Sequence, residues 1–326
     1  MLTESIRGVP HAYDFTYTQA DTRTNAPFVQ ADDGAYPLVF IHGWLLSRIY
    51  WQPLVQTLCT SYRCLTYDMR GFGESVLPSK QTEAYSQTIE LPAGRSLSEL
   101  RGSQKIETYQ ASAYSLAAYA KDLESLLNQL ELDQVWLVGH SLGGSVALWA
   151  AYLLPERIKG VICINAGGGI YIENEFEKFR AAGQQMLKFR PSWLARLPLL
   201  PRAFARLMVK QPLSINWGQQ RVQDFVRANA QAAKGTLLDS TTAAEVYLLP
   251  QVMGSLEQPV HFIAASEDTV MPRRYVDYLA SFHSEFNGGQ TVSEIPNCGH
   301  MAMVEQPEKV AQIIQSVLQS RACSTT

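Results

Sequence analysis

Short apolar runs and longer helical stripes take turns along the chain. Pro37–Ile41, Arg63–Tyr67, Gln134–Val138, Val161–Asn165 and Pro259–Ala265 are brief runs rich in β-branched and aromatic residues. Runs of that length and character read as strands buried on both faces. Thr291–Ile295 reads as a last strand. Between them the period lengthens: Leu116, Tyr119, Leu123, Leu126, Leu127 and Leu130 fall on one helical stripe within Ala113–Leu130. Further helices are expected at about Trp51–Thr60, Ser145–Ala151, Arg273–Phe282 and Pro307–Gln319. Strands alternating with helices imply a mostly parallel sheet. Near the amino end, His11–Thr18 alternates polar residues with Tyr13, Phe15 and Tyr17, the pattern of a half-exposed antiparallel edge strand. Asp32-Asp33-Gly34 is a turn signal.

Two stretches break the alternation. Val76–Gln110 is polar and without sustained period, and reads as a long surface loop holding at most one helical turn. From about Ile170 to Leu248 strand patterns disappear. Phe176, Phe179, Gly183, Met186 and Leu187 share one helical face, and Leu200, Phe204, Leu207 and Met208 another. Pro191, Pro198, Pro201 and Pro212 cut the segment into short helices. The expected organisation is an α/β core in two parts, residues 1–167 and 249–326, with an all-helical cap inserted at 168–248.

Composition narrows the function classes. The 326 residues are 46% apolar and 17% charged, with a formal charge of −3, which gives no reason to expect nucleic acid as a partner. Met1–Pro10 has no apolar run and no stretch approaches transmembrane length, so a cytoplasmic location is expected. The cysteines Cys59, Cys64, Cys163, Cys298 and Cys323 show no metal or redox spacing; reduced thiols, no metal and no cofactor are the expectation. Cys298, two residues before His300, reads as a packing residue.

The candidate chemistry sits at strand carboxyl ends, where functional groups gather in such sheets. Gly139-His140-Ser141-Leu142-Gly143-Gly144 follows one strand and opens a helix, the context of a nucleophile elbow. His42-Gly43-Trp44 and Asp68-Met69-Arg70-Gly71-Phe72-Gly73-Glu74-Ser75 close two others. Asp268-Thr269-Val270-Met271-Pro272 and Gly299-His300 follow the last two. Five motifs in this order resemble the α/β-hydrolase superfamily, over about Tyr13 to Leu318, and the order Ser, acid, His is that of the family.

The resemblance implies an α/β-hydrolase fold with a helical cap, and a serine esterase or lipase-like activity on a small-molecule ester. Carried onto this chain, Ser141 is the nucleophile, His300 the base and then acid, and Asp268 the orienting carboxylate. The x-Val-x-Pro context favours Asp268 over the neighbouring Glu267. The implied oxyanion donors are the backbone N–H groups of Leu142 and Trp44. The Trp44 side chain and His140 are candidate substrate contacts. His42, Asp68 and Arg70 read as braces, and His11, His261 and His283 as ordinary surface or strand residues. A serine nucleophile disfavours the dehalogenases and epoxide hydrolases of this fold, which use aspartate. Cofactor-free haloperoxidases and carbon–carbon bond hydrolases share the triad and remain alternatives, as does a receptor that binds a small molecule in the same pocket.

Charge sharpens one region. Between Arg180 and Lys234 stand ten cationic residues and a single acid, Asp224, in a chain whose total is −3. Trp193–Phe204 interleaves aromatics, leucines and arginines. Such segments lie on anionic membrane surfaces or simply pack their apolar side on a core. Peripheral membrane contact through the cap is therefore an expectation to test.

Overall fold

The computed structural model describes residues 1–17, 36–76, 86–93, 95–98, 105–168 and 173–323. The Asp32-Asp33-Gly34 turn, the first residues of the expected cap and the side chain of Phe176 lie outside the described residues. The strands are β1 (Leu2–Ile6), β2 (Val9–Thr16), β3 (Leu38–Ile41), β4 (Cys64–Tyr67), β5 (Gln87–Glu90), β6 (Leu97–Ser98), β7 (Lys105–Ile106), β8 (Thr108–Ala111), β9 (Val135–His140), β10 (Ile158–Ile164), β11 (Val260–Ala265) and β12 (Val292–Ile295). The helices are α1 (Gln52–Leu58), α2 (Leu116–Gln129), α3 (Leu142–Leu153), α4 (Glu173–Leu187), α5 (Leu200–Phe204), α6 (Ile215–Arg227), α7 (Ala230–Ser240), α8 (Ala243–Gly254), α9 (Arg273–Ala280), α10 (Ala302–Glu305) and α11 (Pro307–Cys323).

Eight strands form the central sheet in the order β1-β2-β4-β3-β9-β10-β11-β12. From β4 to β12 every pairing is parallel; β1 and β2 join antiparallel. Both faces of the parallel part are covered, which is why its strands read as unbroken apolar runs. Val39, Ile41, Leu137, Val161 and Phe262 point toward α2, α3, α8 and α9. Leu38, Phe40, Val138, Ile162 and Ile263 point the other way, toward α1, α10 and α11. After β3 the chain steps to β4 on one side, then crosses back to place β9 on the other. The order therefore reverses between β3 and β9, and the crevice at their carboxyl ends is the topological switch point.

Three expectations need correction. The edge is β1, not β2: Arg7 and Gly8, both at positive φ (53° and 81°), turn the chain into a tight hairpin that pairs Leu2 with Tyr13. β1 went unread because four of its five side chains are not buried, leaving no apolar run. The described parts of 76–110 are not plain loop: β5 pairs with β8 and β6 with β7 in two small antiparallel sheets. They are short and half-exposed, with Ile89 and Leu97 as their buried anchors. Finally, the elements among the described residues from 173 to 254 are helices joined by turns, and α8 runs through the expected 248/249 boundary. Its buried face, Leu248, Leu249, Val252 and Met253, belongs to the same core as α3.

No helix among the described residues is long and apolar enough to cross a membrane. Cys59, Cys64, Cys163 and Cys298 are buried thiols, and burial pushes the Cys298 thiol up to about 12.

Candidate active site

Ser141 stands between β9 and α3 with φ 52° and ψ −121°, a conformation an L-residue holds only when its surroundings over-determine it. They do so by close approach. A Cβ on Gly139 would come within 2.3 Å of the Gly143 carbonyl, and one on Gly143 within 2.1 Å of the Ile41 carbonyl. Only glycine lets the elbow fold back against the end of β3. The result lifts the Ser141 hydroxyl to the switch-point crevice at the start of α3.

His300 arrives from the loop after β12. Its Nε2 lies 3.1 Å from Ser141 Oγ and its Nδ1 2.7 Å from Asp268 Oδ2. Asp268 follows β11, and every hydrogen bond recorded for its carboxylate comes from a donor fixed by the fold. Oδ1 accepts the backbone N–H groups of Val270 (2.8 Å) and Met271 (2.9 Å). Oδ2 accepts the Asn165 amide at 2.7 Å as well as His300. Burial alone pushes this carboxyl up; the His300 charge and hydrogen bond, with the bonds from Met271 and Asn165, bring it down to about 2. Asp268 is thus an ionised acceptor that holds the proton of His300 on Nδ1 and leaves Nε2 facing the serine. Glu267, the alternative acid, is exposed and reaches Lys210 at 3.6 Å instead.

The two predicted oxyanion donors flank the serine: Leu142 is the first residue of α3, and Gly43, just before Trp44, would bring a Cβ within 3.3 Å of Ser141 Cβ. Among the described residues neither backbone N–H donates to a protein acceptor. The Trp44 side chain lines the cavity above Ser141 and donates from Nε1 to the Ala233 carbonyl of α7 at 2.9 Å, so it also ties the β3 loop to the helices above. His140 lines the same cavity but is bound: its Nε2 donates to the His300 carbonyl at 2.7 Å, and burial, with His300 alongside, pushes its pKa down to about 3. It is a neutral strut for the His300 loop.

The other polar motifs are braces. His42 donates from Nδ1 to the Gly43 carbonyl (2.8 Å) and accepts the Met69 N–H at Nε2 (2.9 Å), fixing the loop that carries Trp44. The fully buried Asp68 accepts from Arg48 Nη1 (2.5 Å) and from the backbone of Arg48 and Glu74. Arg70 pairs with Asp122 at 2.8 Å. Of the remaining histidines, His11 and His261 lie in strands; His283 is neither exposed nor in a strand, but buried after α9 with Nε2 on the Gln258 carbonyl.

Three contributors escaped the sequence reading. Asn165, at φ 49° after β10, supports Asp268; a polar residue at a parallel strand's carboxyl end was the available signal. Glu305 accepts backbone N–H groups from Gly299, Lys210 and Gln211, and the His300 N–H donates to the Met208 carbonyl at 2.8 Å, so the helical segment is fastened to the His300 loop. Arg221 of α6 is buried and donates from Nη1 to the Phe204 and Leu207 carbonyls (2.5 and 2.6 Å), closing the end of α5. Nothing in local pattern announces either of these last two.

The crevice opens into a cavity of about 180 Å³. Its floor includes Trp44, Leu142 and Met271; its roof is Phe179, Met186, Phe204, Phe225 and Leu237 from the helical segment. Among the described residues no cluster of His, Cys, Asp or Glu could hold a metal.

The chain belongs to the α/β-hydrolase fold family, whose match covers residues 36–307. It is 29% identical over 214 residues to an uncharacterized protein of Mycobacterium tuberculosis, covering 62% of this chain and 61% of that one. The matched region thus spans about three fifths of that relative's length. It is 22% identical over 287 residues to karrikin insensitive 2 receptor IA of Petunia hybrida, covering 86% and 89% of the two chains. Against 3-oxoadipate enol-lactonase 2 of Acinetobacter baylyi it is 25% identical over 307 residues, covering 93% and 96%. Among solved structures, a thermophilic esterase from Thermogutta terrifontis superposes with a TM-score of 0.63 at 22% identity, with 98% of each chain covered, a likeness of fold.

Proposed function

We propose that the protein is a serine hydrolase of carboxylic esters, thioesters or lactones with an apolar acyl or alcohol group. One observation carries this: a single imidazole joins an ionised, fully hydrogen-bonded Asp268 to the hydroxyl of a strained Ser141, under an apolar cavity. Ser141 Oγ attacks the ester carbonyl while His300 Nε2 takes its proton, which makes the hydroxyl a competent nucleophile. The oxygen that becomes negative lies toward the N–H groups of Trp44 and Leu142, and Asp268 stabilises the imidazolium. His300 then hands the proton to the departing alcohol, leaving an acyl-Ser141. Water, deprotonated by the same imidazole, releases the acid.

The esterase and enol-lactonase names among the similar proteins agree with this chemistry. A relative named as a receptor keeps a second reading in view, in which the same cavity binds a small molecule and turnover is incidental. A fluorophosphonate probe followed by a series of p-nitrophenyl esters of increasing chain length separates the two. Labelling at Ser141, lost in Ser141→Ala, with multiple turnovers of at least one ester supports the hydrolase. An unlabelled Ser141, or labelling with no turnover of any ester, overturns it.

A further inference from the structure

The helical segment over the cavity exposes most of the large apolar side chains that the described residues show to solvent. Phe189, Trp193, Leu197, Leu199 and Ile215 are 64%, 48%, 40%, 68% and 48% exposed, and Leu207 and Met208 are 42% and 37% exposed. Scattered exposed leucines are ordinary on a protein surface, whereas a contiguous cluster marks an interaction site. Packing explains why these face outward. The turn at Ser192–Arg196 and α5 lie as an outer layer on α6, and α5 comes in so close that a Cβ on Gly218 would meet the Pro201 carbonyl at 1.9 Å. Pro201 of α5 and Ala205 at its end are the buried residues of this layer, while Trp193, Leu197 and Leu199 are exposed. Phe189 and Trp193 meet edge to face at 5.9 Å, so the aromatics form one knob.

From Lys188 to Arg206 the charged residues are all cationic. Lys188, Arg196, Arg202 and Arg206 are exposed and have no carboxylate partner among the described residues. Asp224, the one acid between Arg180 and Lys234, is 3% exposed and turned inward, accepting from Ser47 Oγ at 3.0 Å, its carboxyl pushed up to about 6 by burial. It does not neutralise the surface. We propose that this segment docks the protein on an anionic lipid surface, Trp193, Leu197 and Leu199 entering the acyl boundary and the four cations meeting headgroup phosphates.

The patch is also continuous with the cavity: Leu207 and Met208 are exposed and line it. An acyl chain leaving the bilayer meets apolar side chains from the surface to Ser141. A folded partner seated there would cover that entrance, whereas a fluid lipid surface supplies it. The substrate class that follows, a membrane-held ester, rests on the hydrolase reading; the docking itself does not.

Co-sedimentation with phosphatidylcholine vesicles, with and without about one third phosphatidylglycerol, tests docking directly. Binding is expected only with the anionic lipid and is expected to weaken with salt. Replacing Arg196, Arg202 and Arg206 together by Gln is expected to weaken it on the order of 100-fold, and Trp193→Ala with Leu199→Ser to abolish it. Both variants are expected to hydrolyse a water-soluble p-nitrophenyl ester like the parent, which also verifies that they fold. No binding by the parent chain, or binding indifferent to both variants, overturns the proposal. So does a dimer, seen by light scattering, that the Trp193 and Leu199 variant breaks, since that assigns the patch to a second copy. Vesicle binding without ester turnover would leave docking intact and remove the hydrolase reading instead.

Discussion

The carboxylate of the Ser141–His300–Asp268 corner is held by several neighbours from different elements. Asp268 after β11 is bound by Asn165 after β10, by its own loop's N–H groups and by His300 after β12. The helical segment above is held differently. Beside the corner its ties run through backbone atoms: the Ala233 carbonyl to Trp44, the Met208 carbonyl to His300, the Lys210 and Gln211 N–H groups to Glu305. The Asp268 carboxylate is thereby fixed in place, while the roof side chains Phe179, Met186, Phe204 and Phe225 take no part in the segment's hydrogen-bonded anchors. The candidate site is thus held by the sheet, and the cavity above it is shaped by apolar side chains that those anchors do not fix.

The sharpest break of that contrast is at Asp268. In Asp268→Asn the new amide would set its NH₂ against the donors of Val270 and Met271 if its oxygen kept His300. If the oxygen turned to those N–H groups, the NH₂ would face both the Asn165 amide and His300 Nδ1. The imidazole would then accept at Nδ1 and carry its proton on Nε2, where it cannot take one from Ser141. Turnover of a p-nitrophenyl ester is expected to fall about 10⁴-fold with KM little changed. A loss under tenfold would mean that the corner is not rigid in the sense argued.

Glu305→Ala probes the other side. Removing the carboxylate leaves the N–H groups of Gly299, Lys210 and Gln211 without their acceptor and frees the roof from the His300 loop. The roof rather than the corner is expected to suffer. KM for a long-chain ester should rise on the order of tenfold, while the rate of Ser141 labelling by a small fluorophosphonate changes by less than about threefold. An equal loss for both probes would show that Glu305 serves the His300 loop alone.

The same contrast governs what could be read in advance. The corner was legible because each of its parts has a local cause. A strand buried on both faces must be apolar, a backbone at φ 52° with helix and strand crowded round it requires small neighbours, and each motif ends a strand. The supports were not, because they act across the fold. Asn165 lies 103 residues from the carboxylate it holds, and the Glu305 carboxylate lies 95 residues from the Lys210 N–H it accepts. β1 escaped for the opposite reason: it is an exposed strand whose only regularity is its hairpin turn. The helices of the segment over the cavity were legible, but amphipathicity alone left open whether Trp193 and Leu199 face the core or the solvent. That depended on Gly218 admitting α5 so closely.

The smallest effect lies where the two regions meet, at Glu245 on α8. Its carboxylate is buried and accepts from Trp149 Nε1 of α3 at 2.5 Å and from the Tyr109 hydroxyl of β8 at 3.1 Å. Those two bonds favour the charged form, but burial outweighs them and pushes the carboxyl up to about 7. Between the unfolded value near 4.5 and about 7 the native state therefore holds a proton that the unfolded chain has released. Stability contributed by that proton is full below the window and is lost as pH rises through it, opposite to the sign at Asp268. In Glu245→Gln the amide oxygen can keep Trp149, which can only donate, and the NH₂ can face Tyr109, whose hydroxyl can turn to accept. The variant carries no charge at any pH. Thermal melts should therefore show Glu245→Gln gaining on the parent between pH 5 and pH 8 by about 1–3 kcal/mol, a few degrees in Tm. Taking the difference between the two proteins cancels the other titrating groups. A difference that stays constant across that range would mean that Glu245 is ionised throughout, and that polar anchoring at this boundary is as fully compensated as it is at Asp268.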